Sequence, residues 1–385
     1  MLTLIPEIVN NKKYFKKIRH HFHQNPELGF NEYHTSDFIA SKLSEWGFSV
    51  IKNIGITGVV GTISKGSSNK SLGFRAEMDA LPIQEKTNLP YKSNKENVMH
   101  ACGHDGHMAS LLSAAYYASK NLCFNGTLHF IFQPSEEKSA GALSMIKDGI
   151  LDIAVCDYIY SIHNYPVSNL KFGNFLIHKN ISMASADDFS IFIKGIGCHA
   201  ATPNQGKSPF KCLGNLVNQI IGISIKYRDT SVLSITSIQS GNSYNVIPDI
   251  AEIKLSLRTL SEHIRYEIIR DLEITINQLK EYHNIDILLT PEGIGYPVLM
   301  NSESASNLAK MTIVKYFGEE FLITDFPPLM ASDDFSFFAK EIPACYINIG
   351  SNSKYKLHNS KYDFDDNLIP IIASFYSYLI MEYLV

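Results

Sequence analysis

The chain has 385 residues, of which 45% are hydrophobic and 19% charged. That composition excludes disordered, collagen-like and low-complexity classes, and at about 150 residues per domain the length fits two to three domains. A net charge of −4, from 34 basic and 38 acidic residues, leaves no footprint for nucleic acid or an anionic membrane, and six cysteines are too sparse for a disulfide scaffold.

Residues 1–17 contain no apolar run long enough for a signal segment. The C-terminal run from Ile369 to Val385 is the most hydrophobic stretch, but Ser374, Ser377 and Glu382 interrupt it. It is also shorter than the roughly 20 residues of a membrane span, so a buried terminal helix is expected. These features predict a soluble, cytoplasmic protein with reduced thiols.

In chain order, residues 12–48 read as helical, broken at Asn25-Pro26. Val59–Ile63 and Leu72–Ala76 read as strands, Gly106–Leu122 as a helix, and Thr127–Phe132 and Asp157–Ile162 as strands. Strands alternating with helices predict an α/β domain around a parallel or mixed sheet. The pattern then changes. Strand Asp188–Lys194, helix Ser208–Tyr227, strands Val232–Gln239 and Ala251–Thr259, helix Glu262–Tyr282 and strand Ile285–Leu289 follow one another. That β-α-β-β-α-β order predicts an inserted α+β ferredoxin-like domain over residues 184–296. The α/β pattern resumes with a helix near 303–317 and a strand at Ala344–Ile349. The expected organisation is a discontinuous domain, 1–183 with 297–385, interrupted by the insertion.

Candidate chemistry concentrates in Met99-His100-Ala101-Cys102-Gly103-His104-Asp105-Gly106-His107, where three of the chain's 14 histidines stand beside a cysteine. Thiolate and imidazole are common ligands for zinc-like ions. Glu136 and Glu137 follow the Thr127–Phe132 strand. Adjacent carboxylates face different directions, so one can hold a metal while the other serves as a base. Asp79 and His163 each stand just past a strand, the edge at which open α/β sheets place their ligands. His358 lies far along the chain and alone reads as a surface histidine. His199 sits in a glycine-rich stretch of the insertion, where the backbone can approach another group closely. Arg258 ends a strand there and suits a substrate carboxylate, although a surface ion pair is the ordinary alternative.

With these residues in hand, the sequence resembles the M20 family of metallopeptidases and amidohydrolases, in the branch of aminoacylases, hippurate hydrolases and auxin-conjugate hydrolases. The resemblance runs from His23-Gln24-Asn25-Pro26-Glu27-Leu28-Gly29 through Met99–His107, Gln133–Glu137 and Asn245-Val246-Ile247-Pro248-Asp249. It continues through Met330-Ala331-Ser332-Asp333-Asp334-Phe335 to Leu357-His358-Asn359. The spacing and the closing Leu-His-Asn-Ser most resemble the bacterial hippurate hydrolases. The resemblance implies that Cys102, His104, Glu137, His163 and His358 hold one or two divalent ions, zinc or manganese first, with cobalt or nickel also admitted. It implies Glu136 as general base, Asp79 as a supporting residue, and His199 as a histidine lent to the partner's site in a homodimer. The insertion then becomes a dimerisation or lid domain.

The expected reaction is hydrolysis of N-acyl amino acids, hippurate foremost, with N-acetyl-diaminopimelate deacetylation or general aminoacylase activity as alternatives. Arg258 or a neighbouring donor is the candidate for holding the substrate's free carboxylate, and Asn245 is a second candidate for binding substrate. A non-catalytic metal-binding scaffold is disfavoured, because a structural site needs no spare carboxylate such as Glu136. Glu77 stands where the family more often has Asp, and Asp333 where it mostly has Glu. Ser135, Lys138 and Ser139 replace small residues around the Glu pair.

Overall fold

A computed structural model describes residues 3–385. The chain divides into two compact units. The first comprises the residues up to Ser182, Met300–Pro327 and Asp333–Val385, and the second comprises Met183–Leu299 and Pro328–Ser332. Each has its own hydrophobic core.

The first unit opens with helices α1 (Lys12–Gln24) and α2 (Tyr33–Glu45). Strands β1 (Ser49–Ile54), β2 (Gly58–Lys65) and β3 (Ser71–Glu77) follow. Helix α3 (His104–Lys120) precedes β4 (Gly126–Gln133) and β5 (Tyr158–Tyr165). Strand β1 is absent from the sequence reading because only Ile54 in it is buried, so no apolar alternation marks it.

The second unit holds β6 (Ser185–Lys194), α4 (Phe210–Lys226), β7 (Ser231–Gln239), β8 (Ile250–Thr259), α5 (Glu262–His283) and β9 (Asp286–Pro291). Its main sheet runs β7-β8-β6-β9, with every neighbouring pair antiparallel. Leu216, Ile220, Ile268 and Leu272 from the two helices share a core with Ile191, Ile193, Ile253 and Leu255 from the strands. A Ser261 cap, accepting from the Ile264 amide, starts α5.

The chain re-enters the first unit at α6 (Glu303–Tyr316), then β10 (Ala344–Gly350) and α7 (Leu368–Leu384). The large sheet is mixed and runs β1-β2-β4-β3-β5-β10, finished by two short strands, Phe175–Leu176 and Leu322–Ile323. Its centre is parallel. Strand β3 pairs in parallel with both β4 and β5, and β5 in parallel with β10. All seven residues of β3 and of β10 are buried, as a strand covered on both faces requires. Helix α3 is apolar nearly all round and buried from His104 through Ala115, and α7 is buried from Leu368 to Ile380. No helix among the described residues is long and apolar enough to cross a membrane.

Candidate metal centre

Neighbouring parallel strands end together, so the residues after β3, after β4 and at the end of β5 meet at one edge. Asp79 follows β3, Glu136 and Glu137 follow β4, and His163 lies within the last three residues of β5. The apolar pattern alone ends this strand at Ile162, before His163. Pairing with β10 continues to Gly350, opposite Tyr165, and so carries β5 beyond His163. Cys102 and His104 enter from the start of α3, and the chain turns between them at Gly103, whose φ is +93°. A Cβ there would lie 2.2 Å from Asn164 Oδ1, so only glycine fits this approach.

Cys102, His104 and His163 each bring a donor atom within 4.8 Å of one another. So do Cys102, Glu137 and His358, and likewise His104, Glu136 and Glu137. Cys102 therefore stands between two overlapping donor groups. His358 is half-exposed, yet its Nε2 lies 3.3 Å from Glu137 Oε1.

His163 and His104 are each oriented from behind. The Nδ1–H of His163 donates to the carbonyl of Asn164 at 2.8 Å, which leaves Nε2 facing Cys102 Sγ at 3.4 Å. His104 donates from Nδ1 to the Asp79 carbonyl at 2.9 Å and lies 3.2 Å from the Asp79 carboxylate. Its Nε2 is buried and has no hydrogen-bond partner. Ring nitrogens presented inward with the other nitrogen tied back is the arrangement metal-ligating histidines adopt. His107 differs: Glu77 at 2.8 Å and Asn164 at 2.7 Å engage both its nitrogens, so it braces its neighbours.

The electrostatics are those of an anionic pocket. Burial first, then Glu137, Glu136 and Glu77, push the Cys102 thiol well up. Burial and the carboxylates of Asp333, Glu137 and Asp334 push Glu136 up. Burial opposes it, but the Asp79 hydrogen bond and Glu77 raise His104 to about 10. A dication bound there would reverse these costs, favouring the thiolate of Cys102 and the ionised carboxylates. The donors present therefore fit one or two divalent ions.

Behind the pocket, Arg75 is fully buried and holds three carboxylates. It is paired with Glu77, lies 3.1 Å from Asp333 and 2.9 Å from Asp334, and donates to Gln133 at 2.8 Å. Burial, against Arg75 and with Asp333, pushes Asp334 up to about 8. In the sequence, Glu77 and Asp333 stand out only as departures from the family pattern, and Arg75 belongs to no motif. An arginine within the otherwise apolar run Leu72–Ala76 is the available signal.

The first unit thus gathers Asp79, Cys102, His104, Glu136, Glu137, His163 and His358. The other three candidates lie in the second unit. His199 is exposed, and its Nδ1 accepts from the Ala201 amide at 3.0 Å. The Asn245 carbonyl accepts from Ala200 at 2.9 Å. Arg258 lies 3.6 Å from Asp188 on β6, the ion-pair alternative.

The family model of peptidase family M20/M25/M40 matches residues 73–382. The chain belongs to that family. It is 42% identical to the hippurate hydrolase of Campylobacter jejuni subsp. jejuni, over 100% of both chains. It is 32% identical to an N-acetyl-L-cysteine deacetylase of Bacillus subtilis, over 94% of this chain and 86% of that one. Among solved structures, a dinuclear metal binding peptidase of the M20 family from Bacillus subtilis superposes with a TM-score of 0.83 at 28% identity, covering 98% of this chain and 99% of that one. The chain is accordingly a hydrolase, a metal-dependent amidohydrolase of the M20 family.

Proposed function

We propose that this enzyme hydrolyses the amide bond of N-acyl amino acids, with N-benzoylglycine as the substrate that most favours the reading. One observation carries it. Glu136 is a buried carboxylate adjacent to Glu137, within 4.8 Å of His104 and Glu137 donor atoms, yet it is not needed to complete the Cys102, His104, His163 group or the Cys102, Glu137, His358 group. The full-length similarity to a hippurate hydrolase supports the choice of substrate.

Cys102, His104, Glu137, His163 and His358 would hold zinc or manganese, with cobalt and nickel as further candidates for the same mixed donors. Bound there, the ions supply a Lewis acid for the amide carbonyl and acidify water. Glu136 takes the proton of the attacking water and delivers it to the departing amine. Asp79 keeps His104 and Glu137 in place, since it also accepts the Glu137 amide at 2.9 Å. A cavity of about 210 Å³ adjoins Glu137, with Leu28, Leu81, Pro82 and Lys138 in its wall, and offers apolar surface to an acyl group.

The second unit, residues 184–296 in this reading, is a ferredoxin-like dimerisation or lid domain. His199 acts on the partner subunit's substrate as an oxyanion donor, and Arg258 or Asn245 holds the substrate carboxylate. The test is hydrolysis of a panel of N-acyl amino acids by metal-loaded protein. N-benzoylglycine turned over best supports the reading. Preference for N-acetylcysteine would move the assignment to the deacetylase relatives. No turnover of any acyl amino acid would overturn it.

A further inference from the structure

The His23–Gly29 motif supplies none of the proposed ligands, yet it and its continuation to Glu32 touch the loops that carry the chemistry. The Glu27 carbonyl accepts from the Ala80 amide at 2.8 Å, one residue past Asp79. The Glu27 carboxylate turns the other way and accepts the Thr35 amide at 2.9 Å, closing the first turn of α2. Gly29 is packed so closely on the second loop that a Cβ would lie 2.3 Å from Ser135 Oγ.

Glu32 itself is fully buried. One carboxylate oxygen accepts the Ser135 amide at 2.9 Å, and the other accepts the Thr57 hydroxyl at 2.6 Å. Ser135 is the residue immediately before Glu136, and its φ is +47°. A residue with a side chain enters that region only when its surroundings hold it there. The Glu32 hydrogen bond is such a hold, and Thr57 fixes the Glu32 carboxylate in turn. The direction in which the chain leaves Ser135 sets where the Glu136 carboxylate points.

We propose that Glu32 is a positioning residue: its carboxylate pins the Ser135 amide in the left-handed conformation that aims Glu136 at the reacting water. The inference rests on the reading of Glu136 as proton acceptor. Geometry of this kind matters because displacing a catalytic group by about 1 Å costs on the order of 100-fold in rate.

The test compares Glu32→Ala with Glu32→Gln in metal-loaded protein. The glutamine carbonyl can still accept the Ser135 amide, and its NH₂ can donate to the Thr57 hydroxyl oxygen. Glu32→Ala should lower kcat on the order of 10- to 100-fold, with KM and bound metal unchanged, while Glu32→Gln keeps most of kcat. Amide hydrogen exchange over residues 135–141 should quicken in Glu32→Ala and stay near wild type in Glu32→Gln. Should Glu32→Ala fail to fold, Glu32→Leu fills the volume without an acceptor and carries the same expectation. The proposal is overturned by a kcat within about twofold of wild type, by loss of metal together with activity, or by Gln failing as badly as Ala. If wild type hydrolyses no acyl amino acid, the substrate reading fails. The exchange measurement then decides alone, with unchanged exchange in Glu32→Ala overturning the brace.

Discussion

The carboxylate of Asp79 lies 3.2 Å from Nδ1 of His104, and its second oxygen accepts the Glu137 amide at 2.9 Å. One residue just past β3 therefore decides which nitrogen His104 offers and where Glu137 begins. The charge on Asp79 also makes the far nitrogen of His104 a better donor to a cation.

Removing that charge while keeping the shape should weaken the site. Asp79→Asn is expected to lower divalent-metal affinity on the order of 10- to 100-fold. Competition with a chromophoric chelator measures it. Unchanged affinity would show that Asp79 does not support the ligands.

The two adjacent glutamates should separate cleanly. Glu136→Gln is nearly isosteric but cannot accept the proton, so it should retain metal and lose on the order of 100- to 10,000-fold in kcat. Glu137→Ala should lose metal affinity. Elemental analysis beside steady-state kinetics distinguishes them. Near-normal turnover in Glu136→Gln, or equal metal loss in both, would reverse the assignment.

Metal should be needed for activity and should stabilise the fold. Dialysis against chelator is expected to abolish turnover, and divalent metal to restore it. A ligand that binds only the folded chain, at about 100 times its Kd, adds roughly 2.7 kcal/mol. The urea midpoint should rise accordingly when zinc or manganese is added to stripped protein. An unmoved midpoint and full activity in metal-free protein would both contradict the site.

Stability should fall as pH rises through the titration of His23. Burial opposes it, but Asp105, whose carboxylate lies 2.8 Å away, raises His23 from 6.5 to about 9. A group raised on folding contributes its full stabilisation below its unfolded value, here pH 6.5, and loses it as pH passes about 9. The contribution is on the order of 3 kcal/mol at most. Urea unfolding of wild type and His23→Gln should differ most at about pH 6.5 and least at about pH 10. A gap that does not change between them would place the stabilisation elsewhere.

The proposed contribution of His199 across a homodimer can be read by complementation. His199→Ala and Glu136→Ala dimers should each be nearly inactive. A mixed dimer has one site holding both native residues, so equal mixing should make about a quarter of all sites active. The two variants are unfolded and refolded together and assayed. Activity no greater than their sum, with mixed dimers shown to form, would place His199 in its own subunit's site or outside catalysis.

The sequence by itself determined the elements whose neighbours along the chain settle them. The apolar runs of β3, β4 and β10, the helical periodicity of α4 and α5, and the buried terminal helix α7 depend on local patterns of 2 and 3.6 residues. It also marked Asp79, Glu136 and Glu137 by their position after strands, and Cys102 and His104 by their density. Tertiary structure alone decided what depends on distant partners. Strand β1, with little buried surface of its own, exists through its pairing with β2. Strand β5 reaches past His163 only because β10 lies alongside it. Arg75 is tolerated inside β3 because Asp333, 258 residues away, and Asp334 come to meet it. Which nitrogen His104 and His163 present, and why Ser135 holds φ at +47°, follow from hydrogen bonds to Asp79, Asn164 and Glu32. Local pattern fixes which face of an element turns inward, whereas the partner of a buried charge is chosen by packing between segments far apart in the chain.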